Sequence, residues 1–279
     1  MKLWKNTILL LLLIVATLFL VLTKLPDKNL HVVVCDVGQG DAILIYKDQT
    51  QILIDSGPDA SVVDCLSKYI PFWDRTIELA ILTHPDSDHY SGFLSISDSY
   101  EIQNFAYSSL ENSSQDFQVL KEKMKFEVDQ MLQADDDTDY KMGMIYLDIV
   151  YPDADYADYW DADNRNENSV VFELTYQNFE ALFTGDISPR GIQKLLLTQD
   201  LDDVDYIKIP HHGSRNGLTE DLLKATNPKM AVISVGKNSF GHPHQEILDM
   251  LKAYNIKVFR TDEMGDVHVV TDGESYWPL

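Results

Sequence analysis

The chain has 279 residues, with 22 basic and 45 acidic side chains and a formal net charge of −23 at neutral pH. Such a charge disfavours broad electrostatic capture of nucleic acid, because that kind of binding needs lysine and arginine side chains on the phosphates. Residues 31–279 are numerous enough for one large domain with its own hydrophobic core.

Residues 7–23 form an apolar run without a charged side chain, dominated by Leu, Ile and Val. As a helix with a rise of ~1.5 Å per residue, the run reaches about 26 Å, close to the ~30 Å hydrocarbon core of a bilayer. No small-x-small cleavage pattern follows, and Lys2 and Lys5 precede it, so we expect residues 1–24 to form an uncleaved single-pass membrane anchor. After a linker at residues 25–30, the remainder would lie outside the cytoplasm. The alternative is a cleaved signal and a secreted domain.

Short apolar runs predict β-strands in the first half of the chain. Turn residues separate the three runs HVVVCDV, AILIYK and QILIDSG. Residues 61–70 have apolar side chains at a helical spacing, and the predicted helix stops before Pro71. The next strand-like run is IELAILTH. Cys35 lies in the first run and Cys65 in the predicted helix. Two buried free thiols and a disulfide both suit this pair.

Strands and helices alternate in the second half. An acidic turn at residues 134–140 and an acidic, Asn-rich loop at 153–168 interrupt them. We expect helices at residues 115–133, 188–199, 218–226 and 244–254, and strands in MIYLDIVYP, SVVFELTY, FEALFTGD, VDYIKIP, KMAVISV and IKVFRT. This order favours a layered α/β domain with buried sheets.

The segment HPDSDH directly follows an apolar strand and carries four potential metal ligands, His84, Asp86, Asp88 and His89. Imidazole nitrogen together with carboxylate oxygen suits zinc, manganese or iron. His84 and Asp86 would address one metal ion, while Asp88 and His89 would address a second ion roughly 3.5–4 Å away. Taken alone, the segment also suits a polar turn that caps the following helix.

Further groups of the same chemistry lie near other strand ends. The run ALFTGD ends at Asp186, whose carboxylate can bridge two metal ions, and IKIPHHGS places His211 and His212 after another strand. The segment GHPHQE supplies His242 and His244 before a helix, either as groups that reach the substrate or as surface residues.

Two glycine-containing segments complete the candidate site. In LIDSG, Asp55 follows a strand, and we expect it to orient ligands through hydrogen bonds. In DVGQGD, Asp36 and Asp41 flank two glycines that let the backbone approach a site closely. The segment lacks the G-x-G-x-x-G spacing of a dinucleotide site.

The ordered series DVGQGDA, ILIDSG, LTHPDSDHYSG, LFTGDI, IKIPHHGS and GHPHQEIL resembles the metallo-β-lactamase superfamily, and most closely the C-terminal hydrolase domain of ComEC-type competence DNA-uptake proteins. The similarity runs from about residue 31 to residue 272. It implies an αββα sandwich with one or two divalent metal ions, zinc or manganese, at one edge of the sheets.

The resemblance transfers only where the residues match. Asp86 stands where the superfamily motif has its second histidine, and Asn166, Asn168 and Ser169 occupy the region of another histidine ligand. The first metal position is therefore rich in oxygen and poor in nitrogen, which shifts its preference from zinc towards manganese. Asp186 matches the bridging aspartate. Of the His211–His212 pair, which matches the final histidine, we prefer His211 slightly.

These features favour a metal-dependent hydrolase that acts on a phosphodiester, such as single-stranded DNA. Asp88 or Asp186 would orient the attacking hydroxide, and His242 or His244 would assist the leaving group. Because the net charge opposes extended DNA binding, a cell-wall or choline-phosphate ester is a competing substrate. A non-enzymatic binding protein that retains the fold is the alternative from another class.

Overall fold

The computed structural model describes residues 2–22, 27–108, 112–154 and 165–279. The strands in these ranges are β1 (Leu30–Val34), β2 (Ile43–Lys47), β3 (Thr50–Ile54), β4 (Thr76–Leu82), β5 (Glu101–Tyr107), β6 (Gln130–Gln133), β7 (Asp139–Met142), β8 (Ile145–Tyr151), β9 (Val171–Tyr176), β10 (Phe179–Phe183), β11 (Tyr206–Lys208), β12 (Met230–Ile233), β13 (Lys257–Arg260), β14 (Val267–Thr271) and β15 (Tyr276–Pro278). The helices are α1 (Lys2–Leu22), α2 (Ser61–Tyr69), α3 (Ser87–Tyr90), α4 (Phe93–Ile96), α5 (Gln115–Glu127), α6 (Pro189–Thr198), α7 (Glu220–Thr226), α8 (Gln245–Ala253) and α9 (Thr261–Met264).

The N-terminal segment is helical, as expected, and forms α1. Lys2, Lys5 and Asn6 occupy its beginning, and its remaining residues carry no charged side chain. Within the residues that the structure describes, no helix is long and apolar enough to cross a membrane. The membrane anchor expected for residues 1–24 is therefore not shown in this part of the chain, and residues 1, 23 and 24 lie outside the described residues.

Two mixed sheets form the framework of the domain. The first has the strand order β15-β14-β1-β2-β3-β4-β5-β6, and the second has the order β13-β12-β11-β10-β9-β8-β7. Neighbours from β3 to β6 are parallel in the first sheet, and neighbours from β10 to β13 are parallel in the second. Parallel strands have their carboxyl ends at the same edge of a sheet, so the loops that follow them are gathered there.

The sheets pack face to face over an apolar core, and helices cover their outer faces. Because successive side chains of a strand point to opposite faces, Val32 and Val34 of β1 enter the core between the sheets, whereas Val33 packs under α2, α4 and α5. A third apolar layer joins the second sheet to α6, α7 and α8. The resulting αββα architecture confirms the predicted layered α/β fold.

The middle of the chain differs from its prediction. The helix expected at residues 115–133 ends at Glu127, and Gln130–Gln133 instead forms β6, which pairs in parallel with β5. The expected turn at 134–140 includes the beginning of β7. Residues 155–164 of the expected acidic loop lie outside the described residues, and Arg165–Asn168 forms a 3₁₀ turn.

Cys35 and Cys65 form a disulfide with their Cα atoms 5.9 Å apart. The bond joins the chain just after β1 to α2, and both cysteines are buried. Of the two alternatives that suited this pair, the structure therefore has the disulfide.

Candidate metal centre

Loops that follow four strands bring their polar side chains to one edge of the two sheets. Asp55 follows β3, the segment 84–89 follows β4, Asp186 follows β10, and the 3₁₀ turn Pro210–Gly213 follows β11. The two sheets contribute two of these loops each. The site therefore lies where the carboxyl ends of strands from both sheets face each other.

Asp88, His89, Asp186 and His212 place four potential ligand groups close together, and we call this set the four-donor cluster. Oδ2 of Asp186 lies 3.4 Å from Nε2 of His89 and 3.4 Å from Nε2 of His212. Nε2 of His212 lies 3.6 Å from Oδ2 of Asp88. Three members of the cluster are buried, and Asp88 is partly exposed.

Hydrogen bonds on the far side of each ring aim both imidazoles into the cluster. Nδ1 of His89 lies 2.8 Å from Oδ2 of Asp55, whose carboxylate also accepts hydrogen bonds from the backbone amide and the hydroxyl of Thr83. Nδ1 of His212 lies 2.8 Å from the carbonyl oxygen of Ser234. Both rings therefore present Nε2 to Asp186, the arrangement that ligating histidines use in metalloproteins.

The four-donor cluster fits a divalent metal ion. Nε2 of His89 and Nε2 of His212 are buried and have no hydrogen-bond partner in the part of the chain that the structure describes. Buried polar atoms without a partner are rare in folded proteins, so these two nitrogens point to a bound group. Two donor atoms that are about 2.1 Å from one ion and at tetrahedral angles lie about 3.4 Å apart, close to the spacings observed here.

Opposite charges within the cluster shift its pKa values strongly. Burial by itself raises the pKa of Asp186, but His212, His89 and Lys208 outweigh this effect and hold that pKa well below its usual value. Burial lowers the pKa of His212, yet the neighbouring carboxylates, Asp186 foremost, outweigh it and raise the pKa to about 10. The pKa of His89 is raised in the same way. Because neutral imidazole is the ligating form, a metal ion that bound here would release protons.

His84 and Asp86 lie beside the cluster. A ring nitrogen of His84 is within 4.8 Å of ligand atoms of His89 and Asp186, whereas no such group of three or more ligand residues among the described ones includes Asp86. The carboxylate of Asp86 instead pairs with Arg165, whose Nε lies 2.5 Å from Oδ1.

Hydrogen bonds hold the segment 166–169, which lies where the superfamily usually has a histidine ligand. The side chain of Asn168 is buried, and its Oδ1 accepts a hydrogen bond from the hydroxyl of Tyr151. Asn166 lies 3.4 Å from both ring nitrogens of His211, and the hydroxyl of Ser169 accepts a hydrogen bond from the backbone amide of Asp186. This segment supports its neighbours in the site through amide and hydroxyl groups.

Lys208 is a fully buried cation behind the cluster. Its ammonium group pairs with the carboxylate of Asp41, donates to the carbonyl oxygen of Gly185 at 3.0 Å and lies 3.6 Å from Oδ1 of Asp186. Asp41, which we expected only to orient ligands, is thus the main partner of an internal lysine.

The two neighbouring histidines after β11 point in different directions. His211 and His212 both adopt left-handed backbone conformations, with φ of 52° and 54°. His212 enters the four-donor cluster, while His211 is partly exposed, with Nε2 3.8 Å from Oδ2 of Asp186. The groups of ligand atoms among the described residues include His212 and do not include His211, so the geometry favours His212 as the ligand.

His242 and His244 lie at the rim of the site. The ring of His242 is 5.6 Å from that of His211 and 5.0 Å from that of His244, between centroids. The Nδ1 atoms of both rim histidines are buried and have no hydrogen-bond partner within the described ranges. The structure thus brings both residues near the cluster without placing them in it.

The segment 36–41 packs directly against the metal-ligand loop. A Cβ atom at Gly40, whose φ is 141°, would lie 2.3 Å from the carbonyl oxygen of Asp88, so this position requires glycine. Asp36 itself is exposed, and its carboxylate accepts a hydrogen bond from the backbone amide of Gly38. The structure therefore places Asp41 in the site and Asp36 outside it.

Lys208, Arg165 and Ser234 contribute to the site although their sequence context did not single them out. The signal for Lys208 was present in the sequence, because a lysine inside the apolar run YIKIP needs a buried partner. Arg165 and Ser234 carry no such signal, since their partners lie 79 and 22 positions away in sequence.

Comparison with known proteins agrees with this geometry. The chain is 25% identical over 254 residues to ComE operon protein 3 of Bacillus subtilis, which covers 83% of this chain and 32% of that protein. It is 27% identical over 259 residues to Recombination protein 2 of Haemophilus influenzae, covering 90% and 30%. The chain thus spans about a third of the length of these curated relatives, and the expected resemblance to ComEC-type competence proteins is confirmed.

The fold has a similar counterpart among solved structures. The metallo-beta-lactamase fold protein YhfI from Bacillus subtilis matches with a TM-score of 0.56 and 12% identity, over 90% of this chain and all of that one. The sequence model of the metallo-beta-lactamase superfamily matches residues 35–237, which include every member of the four-donor cluster. The chain therefore belongs to the metallo-beta-lactamase superfamily.

Proposed function

We propose that this chain is a metal-dependent phosphodiesterase that cleaves single-stranded DNA outside the cytoplasm. The four-donor cluster carries the proposal, because two buried imidazole nitrogens that have no partner among the described residues face two carboxylates at an edge of the sheets. The names of the curated relatives, a competence protein and a recombination protein among them, support a DNA-related substrate. A bound zinc or manganese ion would supply polarisation of a phosphoryl oxygen and hydroxide at neutral pH.

Residues of the chain orient the ligands and the attacking water molecule. Asp55 and the carbonyl of Ser234 hold His89 and His212 in one ring orientation. Asp88 is the cluster member with the most exposed side chain, so its carboxylate is the group that can accept a hydrogen bond from an attacking water molecule.

His242 would act at the rim. Burial, followed by the nearby His211, lowers the pKa of His242 to about 4, so its imidazole is neutral at pH 7. Its Nδ1 has no hydrogen-bond partner in the described part of the chain, and the unprotonated nitrogen of a neutral imidazole accepts a proton or a hydrogen bond. We therefore propose that His242 receives a hydrogen bond from the substrate or from water.

The Cys35–Cys65 disulfide supports a location outside the cytoplasm. Structural disulfides persist in oxidising compartments and are rare in the reducing cytosol. This argument uses the disulfide of the folded domain and does not depend on the N-terminal helix.

The net charge favours a second candidate substrate. At −23 the protein repels a long polyanion, so a small phosphodiester such as a choline-phosphate or cell-wall ester is the competing proposal. A non-enzymatic binding protein is a further alternative, and the presence or absence of bound metal separates it from both enzymes.

The test is parallel hydrolysis of end-labelled single-stranded DNA, a choline-phosphate ester and bis-(p-nitrophenyl) phosphate by the purified chain with Mn²⁺ or Zn²⁺. We expect cleavage of DNA and a loss of at least about 100-fold in Asp88→Asn. Asp36→Asn, a matched change at the exposed aspartate outside the cluster, should retain activity. Hydrolysis of the small esters alone would refute the nuclease, and no hydrolysis together with no bound metal would refute the enzyme.

A further inference from the structure

Two carboxylates at the site form ion pairs with basic side chains of the protein. Lys208 pairs with Asp41, and Arg165 pairs with Asp86 at 2.5 Å. Both pairs lie where metal ligands are expected, because Asp41 shares groups of possible ligand atoms with His212 and His89, and Asp86 lies 3.6 Å from Nε2 of His84.

These pairs change the charge that a metal ion meets. Asp41 with Lys208 is neutral overall, and so is Asp86 with Arg165. Asp55 is stabilised by hydrogen bonds from Thr83 and by Nδ1 of His89. The carboxylates left to face an ion are Asp88 and Asp186, and their two negative charges match one divalent cation.

The ligands beside the cluster are too few for a second ion. Arg165 neutralises Asp86 and occupies its Oδ1, and Oδ1 of Asn168 accepts from Tyr151. The groups that remain without such a partner are Asp186 and His84, whose buried Nε2 has no hydrogen-bond partner among the described residues. Protein metal sites for such ions usually have at least three protein ligands. The ring of His89 lies 4.1 Å from that of His84 between centroids, but its Nε2 faces the cluster and can bind only one ion, and its Nδ1 faces Asp55.

We propose that the site binds a single divalent metal ion at Asp88, His89, Asp186 and His212. The guanidinium group of Arg165 takes the position that a second ion would have beside His84 and Asp86. This inference rests on the proposed metal-dependent function, and it concerns the number of ions and the residue that determines it.

The test is equilibrium dialysis of the full-length chain against Mn²⁺, followed by elemental analysis of bound metal per chain. We expect one ion in the wild type and a second, weaker ion in Arg165→Ala, because Asp86 is then free to ligate. Arg165→Lys retains a cation and should bind one ion. Arg165 is partly exposed, and equal thermal unfolding of the variants would show that the fold is unchanged.

The electron paramagnetic resonance spectrum of bound Mn²⁺ gives an independent readout. An isolated ion gives a hyperfine-split spectrum, which we expect for the wild type, and two neighbouring ions give a spin-coupled one, which we expect for Arg165→Ala. Two ions in the wild type would overturn the inference. One ion in Arg165→Ala would also overturn it, since Arg165 would then not be what excludes the second ion. A wild type that binds no metal would instead refute the proposed function, and with it the inference.

Discussion

Removal of the Cys35–Cys65 disulfide tests how much of the domain's stability comes from one cross-link. The two cysteines are 30 residues apart in sequence. Closing a loop of this length removes about 12 cal/mol/K of entropy from the unfolded chain, or about 3.6 kcal/mol at 25 °C. For a domain of ordinary stability, on the order of 5–15 kcal/mol, that is a large share.

The double variant Cys35→Ala and Cys65→Ala should therefore unfold at a lower urea concentration than the oxidised wild type. The loss should be about 3–4 kcal/mol, and reduced wild-type protein serves as the control because it keeps both side chains. If the double variant and the reduced wild type both lose less than about 1 kcal/mol, the loop-closure argument is wrong. Metal binding after reduction is a second readout, because Cys35 immediately precedes the segment 36–41 that carries Asp41.

Three further predictions concern single side chains. Asp55→Asn should weaken metal binding about 10–100-fold in a chelator competition, because it removes the negative charge that orients His89; unchanged affinity would exclude this role. Gly40→Ala should destabilise the domain by more than about 2 kcal/mol in urea unfolding, because the added Cβ atom would meet the carbonyl oxygen of Asp88. Gly38→Ala, whose Cβ atom meets nothing within 4 Å, should cost only about 1 kcal/mol. Equal losses in the two variants would show that the contact with Asp88 does not require glycine at position 40. Burial, followed by nearby acidic side chains, raises the pKa of Glu173 to about 7 from 4.5, so its stabilising contribution is full below pH 4.5 and disappears as the pH rises through 7. Glu173→Gln should thus raise the melting temperature at pH 8, by about 2–4 °C for each kcal/mol relieved, and leave it nearly unchanged at pH 4. An equal shift at both pH values would show that ionisation is not the cause.

The sequence was sufficient to predict that potential ligands follow buried strands. Apolar runs before His84, Asp186 and the histidine pair indicated strands, and the structure brings the ends of those strands together. The apolar spacing after residue 115 was less informative, because a helical pattern continued past Glu127 into residues that pair as β6. Edge strands as short as β6 leave too few residues to establish a period of two.

The details of the metal centre depend on contacts that sequence spacing does not contain. His211 and His212 are adjacent and chemically identical, and only their distances to Asp186 in the folded chain show that His212 is the one that enters the cluster. Arg165 meets Asp86 across 79 positions of sequence, and no local pattern predicts a pair at such a distance. The ligand types were therefore accessible from the sequence, whereas their pairing and the identity of the internal cations were not.

The buried Lys208–Asp41 pair has a consequence for how this domain tolerates change. A lone ammonium or carboxylate in the interior is strongly destabilising, whereas replacing both charges with apolar groups of similar volume is often neutral. A mutation at either position should therefore be harmful unless the other position changes as well. Among diverging copies of this domain, Lys208 and Asp41 should be kept or lost together, so that the pair constrains evolutionary drift at two buried positions that are distant in sequence.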